Sequence, residues 1–349
     1  MDKKRILFLA PAFAPEKGGV EQHLLELSRT LRDRGYRLTV ITRTPLSCQT
    51  PAAEGENPLI LRLPAPPGRR KVWPWLWSHR ALFREASLVH CHDFSAFWGW
   101  YLPYRFLWPD KKVYVTFHGW EGRYPISRKT VFYRKVTEKC CRGNICVGDF
   151  ISRWYGTRPS AVTYGGVALP AEQRSRPMQG RALFIGRLEN DTGWPIYLQA
   201  LEELWREHKL QLELAVCGQG SLEQSSRRHC ADQGLPVRFL GHVDNLDDEI
   251  QSSSMVLTTG YLSLLACFAN QRPVVTVYDN PVKRDYLIMM PQAREMLEIA
   301  GGLAELKASI LRLMQDAETV QAKVAAAYAW AKEQTWEKVA DTYEQLWQI

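Results

Sequence analysis

Residues 5–43 read RILFLAPAFAPEKGGVEQHLLELSRTLRDRGYRLTVITR. RILFLAPAF (5–13) is a short apolar run, enough for a buried strand and far short of the ~20 residues of a membrane span. Val20, Leu24, Leu27 and Leu31 recur at three- and four-residue steps, the period of a helix with one buried face. Gly35 ends that helix, and RLTVITR is a second strand. Strand, glycine turn, helix, strand is the opening of a doubly wound parallel sheet. The start MDKKRILFLAPAF shares its outline with a secretory leader. No small-residue cleavage site follows, and the run leads into a glycine turn, so a buried first strand is expected.

The alternation continues downstream. Residues 45–68 are rich in Pro and Gly and read as loop around one strand, LILRLP. SLVHCH, KVYVTFH, NICVG and SAVTYGG are further short apolar runs. PAEQRSRPMQGR (170–181) is polar and reads as a linker. The pattern then restarts with RALFIGRL, the helix pattern WPIYLQALEELWREH, LQLELAVCGQG, VRFLGHV, SMVLTTG and RPVVTVY. The expected architecture is α/β: a Rossmann-like domain over 1–170, a second over 171–335, and a final helix over 336–349. In such sheets ligands lie outside the carboxyl ends of the strands.

Length and composition agree with this. A chain of 349 residues is long for one core, and 46% apolar with 23% charged residues is ordinary for a soluble globular protein. Eight cysteines are scattered without a CxxC pair, which suits buried thiols in a reducing cytosol. Cys140, Cys141 and Cys146 have no partner pair at zinc-finger spacing, so no metal site is expected. The net charge of +8 conceals an asymmetry: residues 1–170 carry +14 and residues 171–349 carry −6. The first half is therefore expected to meet an anionic surface.

The ordered stretches APEKGGVEQHLLELSRTLRDRGYRLTVIT (14–42), VHCHD (89–93), VTFHG (115–119), VTYGGV (162–167), LFIGRLENDTGW (183–194), LAVCGQG (214–220), VRFLGHV (237–243) and GYLSLLACFANQRPVV (260–275) carry a resemblance. The chain resembles a retaining glycosyltransferase of family 4, with the GT-B fold. The resemblance implies two Rossmann-like domains facing a cleft, with the last helix crossing back to the first domain. It implies sugar transfer from a nucleotide-sugar, without an obligatory metal or other cofactor.

It also places residues. Gly18 and Gly19 would face the donor diphosphate, where a backbone without Cβ and a helix N-terminus suit an anion. Gly186 and Arg187 follow a strand, and a permanent guanidinium there suits a diphosphate leaving group. The family's lysine five residues on is Thr192 here, able to donate one neutral hydrogen bond. Gly218, Gly220 and Val243 would line the nucleotide. His118 would touch the transferred sugar, as a catalytic residue with Arg187. Asp93 would hold a sugar hydroxyl or cap the next helix. Gly119, Trp120 and Glu121 are acceptor candidates.

The family's Glu-x7-Glu motif would fall at Thr258 and Ala266, and neither is a carboxylate. Gly260, Tyr261, Leu262 and Ser263 keep a turn and helix start that could present N–H groups to phosphates. Asp279, Asn280, Lys283 and Asp285 are either a local substitute or a solvated loop. The alternatives to an active transferase are a catalytically weakened or inactive GT-B subunit that binds a partner, and a sugar-nucleotide epimerase. No matched pair of acid and base carboxylates supports the epimerase.

GRRKVWPWLWSHRALFR (68–84) and FWGWYLPYRFLWPDKK (97–112) interleave cations with Trp and Tyr, and SRKTVFYRK (127–135) adds more cations. Such mixtures favour the boundary of an anionic bilayer. This reads as peripheral binding to the inner face of the cell membrane by a cytoplasmic protein with a lipid-linked or glycan acceptor. The alternative is an aromatic-rich core with solvated cations. No nucleic-acid reader motif is visible, so no nucleic-acid partner is expected.

Overall fold

The computed structural model describes residues 4–45, 57–64, 69–171 and 178–348. Cys48, Gly68 and the middle of the expected linker lie outside the described residues. The chain divides into two units, residues 1–165 with 336–349, and residues 166–335. The division falls at Gly165/Gly166 rather than at 170/171.

The first unit holds a seven-stranded parallel sheet. Its strands are β1 (Arg5–Ala10), β2 (Arg37–Thr42), β3 (Leu59–Arg62), β4 (Leu88–His92), β5 (Val113–Phe117), β6 (Gly143–Val147) and β7 (Ala161–Thr163), in the spatial order 3-2-1-4-5-6-7. β4, β5 and β6 are buried along their whole length. That is why they read as unbroken apolar runs: a parallel sheet is covered on both faces. The helix Gly19–Asp33 buries Leu24, Leu27 and Leu31 against the sheet.

The helix Trp336–Trp347 completes this unit. Val339, Ala340, Tyr343 and Trp347 form its buried face and join the core built on Ile6, Phe8, Leu38 and Val40. Arg34, at the end of the first long helix, clamps it through Asp341 (2.6 Å) and Glu344 (2.5 Å).

The second unit holds a six-stranded parallel sheet of β8 (Met178–Ile185), β9 (Glu213–Cys217), β10 (Val237–Gly241), β11 (Ser253–Thr258), β12 (Val274–Val277) and β13 (Glu298–Ala300), in the order 10-9-8-11-12-13. The helix Trp194–His208 packs Trp194, Tyr197, Leu201 and Leu204 into its core. The Tyr197 hydroxyl accepts from the Val277 N–H (3.0 Å) and donates toward the Val275 and Thr258 carbonyls, pinning the ends of β12 and β11. The short strand β13 and the helix Pro281–Ile288 have no counterpart in the sequence reading. Each is too brief for a clear period. The α/β reading with two Rossmann-like sheets holds.

Candidate functional site

Strand order reverses once in each sheet, between β1 and β4 and between β8 and β11. In open α/β sheets the ligand crevice lies outside the carboxyl ends of the strands at that reversal. In the second unit the edge gathers Gly186, Arg187 and Thr192 after β8, Gly218 and Gly220 after β9, Val243 after β10, and Gly260–Ser263 after β11. In the first unit it gathers the Gly18–Gly19 turn after β1, Asp93 after β4, and His118–Glu121 after β5.

In the second unit, Arg187 is 62% exposed and holds one ion pair, to Asp191 at 2.7 Å. A guanidinium has five donors, so most of the fork stays open to an incoming anion. Thr192 corrects its expectation. Its hydroxyl faces the Arg187 carbonyl (2.7 Å) and the Glu189 carbonyl (2.8 Å), so its single proton is committed to its own loop. Glu189 in turn accepts from the Ser221 N–H (2.7 Å) and hydroxyl (2.6 Å), which hold its carboxyl below the usual range.

Gly218 and Gly220 have a steric reason of their own. A Cβ on Gly218 would overlap the Gly186 carbonyl, and one on Gly220 the Leu188 backbone. The loops after β8 and β9 cross in direct backbone contact, with the Leu188 N–H bonded to the Gln219 carbonyl (3.0 Å). These glycines let the two loops cross.

Thr258 is buried at the end of β11, and its hydroxyl donates to the Ile185 carbonyl at 2.7 Å. It ties β11 to β8. In the helix Tyr261–Ala269, Leu262, Ser263 and Ala266 share one partly exposed face, and none of them carries a charge. The N–H of Tyr261 is already taken by the Tyr286 hydroxyl (3.0 Å). The N–H groups of Leu262 and Ser263, in the first turn, have no intrahelical acceptor. We expect Ala266→Glu to tighten nucleotide-sugar binding by about tenfold or more, the value of one charge-assisted hydrogen bond. Calorimetric titration checks this, and unchanged affinity would show that this face does not hold the ribose.

The segment 279–285 is not a solvated loop. Asn280 caps the helix Pro281–Ile288 by accepting from the Lys283 N–H (3.0 Å). Asp285 is fully buried beside Arg284 at 3.0 Å, and Lys283 is only 8% exposed.

In the first unit, neither Gly18 nor Gly19 needs a left-handed backbone, and a Cβ on Gly19 would stand in open space. The Glu21 carboxylate leans over Gly18 at the helix N-terminus, where an anion is favoured. Asp93 caps the following turn, accepting from the Phe94 N–H at 2.6 Å. Its φ of 80° is strained for a residue with a side chain, by about 1–3 kcal/mol. Burial pushes its carboxyl up, against the pull of the Arg134 guanidinium.

His118 is half-buried, with Nε2 3.0 Å from Nδ1 of His92. Among the described residues Nε2 of His92 is buried without a partner. A bare lone pair costs less than a bare N–H. His92 is therefore assigned its proton on Nδ1 and donates to His118. His118 then carries its own proton on Nδ1 as a donor.

Behind this pair runs a directed chain. Trp347 Nε1–H donates to His90 Nδ1 (2.9 Å), and His90 Nε2–H donates to the Thr116 hydroxyl (2.8 Å). Thr116 donates to the Tyr343 hydroxyl (2.9 Å), and Tyr343 to His23 Nε2 (3.2 Å). Burial keeps all four imidazoles neutral, pushing His23 down to about 4 and His90 to about 3.

Glu121, an acceptor candidate, belongs to the scaffold. It accepts from Arg134 (3.0 Å) and from the Tyr155 hydroxyl (2.7 Å). Arg134 is buried, also holds the Gly119 carbonyl, and lies against the rings of Tyr155, Phe117 and Phe94. Trp120 is half-buried on the same turn. Arg134, His92 and His23 were missed from sequence. His90-x-His92, alternating along a buried strand, was the one available signal. Among the described residues no group of three His, Cys, Asp or Glu is placed to hold a metal.

Two doubly wound parallel sheets with these edges define a GT-B glycosyltransferase fold. Residues 17–168 match the model of glycosyltransferase family 4, and residues 179–316 that of glycosyl transferases group 1. The chain belongs to glycosyltransferase family 4. Among curated relatives, the phosphatidyl-myo-inositol mannosyltransferase of Mycobacterium tuberculosis is 26% identical over 69% of this chain and 67% of its own length. That of Mycolicibacterium smegmatis is 26% identical over 72% and 67%. Among solved structures, sucrose-phosphate synthase from Thermosynechococcus elongatus matches with a TM-score of 0.77 at 17% identity, covering 99% of this chain and 98% of that one. Anabaena HepE, solved with UDP and glucose, matches at 0.74 and 15%, covering 97% and 99%.

Proposed function

We propose that this glycosyltransferase moves a hexosyl group, with retention, from a nucleotide-sugar to a lipid-linked or polysaccharide acceptor at the cytoplasmic face of a membrane. One observation carries the reading. A largely open guanidinium, Arg187, stands at the carboxyl end of β8, beside the reversal of strand order and across from a helix start on β11. That is where a leaving diphosphate gains most from fixed positive charge.

The acceptor oxygen bonds to the anomeric carbon as the bond from that carbon to the phosphate oxygen breaks, and the acceptor's proton passes to the departing phosphate. No protein base is required. The protein positions the reactants and stabilises charge. In the second unit Arg187 and the helix start meet the diphosphate without need of a metal; in the first unit the His118 Nδ1–H is a donor suited to a sugar oxygen.

Two observations support a membrane acceptor. The mycobacterial relatives are named for transfer of mannose to phosphatidyl-myo-inositol. In the first unit Trp77, Phe106, Leu107 and Phe132 are exposed large apolar side chains. A cavity of about 200 Å³ lies nearby, lined by Ser78, Arg80, Ala81, Arg84 and Trp108, and its chemistry suits an anionic headgroup. The aromatic stretch 97–112 is only partly surface, since Phe97, Trp100, Tyr101 and Tyr104 are core. Among the described residues no helix is long and apolar enough to cross a membrane.

The test is incubation with UDP-, GDP- and ADP-sugars and membrane lipid extract. Transfer is expected with one donor, and Arg187→Ala is expected to slow it on the order of 10²-fold or more. Absence of both transfer and donor hydrolysis across the panel would refute the reading.

A further inference from the structure

Lys283 lies near the donor edge, in a state that the fold does not explain. It sits in the first turn of the helix Pro281–Ile288, 8% exposed. Among the described residues no carboxylate lies within ion-pair distance of its ammonium, and no acceptor is hydrogen-bonded to it. Its neighbour is the ring of Tyr286, 4.8 Å away. Tyr286 stacks on Tyr261 at 4.1 Å, and its hydroxyl accepts the first N–H of the helix that follows β11. The ammonium is thus one ring away from the helix start at the strand reversal.

The Arg187 loop reaches the same place. A Cβ on Gly193 would press on the side chain of Val277, the last residue of β12, and the Thr259 hydroxyl lies 3.4 Å from the Thr192 carbonyl. The charged and titratable groups around the ammonium are Asp191 and Asp279, which favour its charge, and Arg187, which opposes it, with the Tyr286 ring beside it. A buried ammonium without a counter-ion is costly, and structural lysines avoid that state by pairing. Here Asp191 and Asp279 favour its charge only from beyond ion-pair distance, and Arg187 opposes it.

We infer that Lys283 and Arg187 together form the cation pair that receives the diphosphate of a nucleoside diphosphate, with Lys283 supplying the charge that Thr192 cannot. The inference rests on the donor edge proposed above and names a residue within it. It also explains why the loop after β8 tolerates a threonine: the second positive charge arrives from a different strand, through the helix after β12. In the free protein burial lowers Lys283 to about 8, and a bound diphosphate would restore full protonation.

Calorimetric titration of the full chain with UDP, GDP and pyrophosphate at pH 8, in buffers of different ionisation heat, tests this. Uptake of about half a proton per bound diphosphate is expected. Lys283→Gln should abolish the uptake and weaken binding at least tenfold, and Thr192→Lys in that background should recover part of the loss. Binding without uptake, or equal affinity of Lys283→Gln, overturns the inference and leaves the donor edge standing. Failure of the unaltered protein to bind any of the three overturns both. If Lys283→Gln does not fold, proton uptake by the unaltered protein decides alone.

Discussion

Gly218→Val is expected to abolish binding of nucleoside diphosphates and to destabilise the second unit by roughly 3 kcal/mol or more, from backbone strain and overpacking combined. The position is over-determined. Gly218 has a φ of 148°, its N–H bonds to the Gly241 carbonyl at 2.8 Å, and its missing Cβ is where the Gly186 carbonyl lies. A branched side chain there must drive the loops after β8 and β9 apart, and the loop after β8 carries Arg187. Thermal melting and UDP titration read the two effects. Gly19→Ala is the contrast, since its new methyl enters open space and the melting temperature should hold. A Gly218→Val protein that melts and binds like the unaltered one would show that the two loops do not depend on each other.

That contrast marks what the sequence could convey. Gly18-Gly19 and Gly218-x-Gly220 look alike as text, and both were read as room for a ligand. The structure separates them: Gly19 faces open space, and Gly218 and Gly220 are closed off by the neighbouring loop. The sheets were legible because buried parallel strands announce themselves as unbroken apolar runs, and RILFLA and ALFI did so. Lys283 was visible only as one polar residue among four. Its surroundings combine the Tyr286 ring with charges on a loop nearly a hundred residues earlier, and no local period encodes such a meeting. Arg134 was hidden for the same reason, since a cation in a basic stretch reads as solvated until three aromatic rings are seen around it.

Acid is expected to unfold the first unit well before ordinary carboxylate titration would. His23 and His90 are held neutral, with folded values of about 4 and about 3 against 6.5 in the unfolded chain. The unfolded state therefore binds protons first as pH falls. The stabilisation is fully present above about pH 6.5 and is lost progressively toward the folded values. His23 alone accounts for on the order of 3 kcal/mol of that change. The hydrogen-bond chain sharpens it, because His90 must accept from Trp347 and His23 must accept from Tyr343, and a protonated imidazole accepts nothing. Melting curves at pH 7, 6 and 5 should show a steep fall. His23→Asn, which keeps an acceptor for Tyr343 without the titration, should flatten it. A melting temperature that is level from pH 7 to 5 would contradict the assignment of neutral imidazoles.

The helix Trp336–Trp347 has a consequence for how the protein is made. The first sheet lacks Tyr343 and Trp347 until residues 336–347 emerge, and all of 166–335 is synthesised in between. At the usual pace of translation that interval is roughly 10–30 s. Through it Phe8 and His90 have no cover from that side, and the histidine chain has no terminus. The second unit is thus free to fold first, although it is encoded later. The nascent first unit is the species on which a chaperone, or an aggregating neighbour, would act.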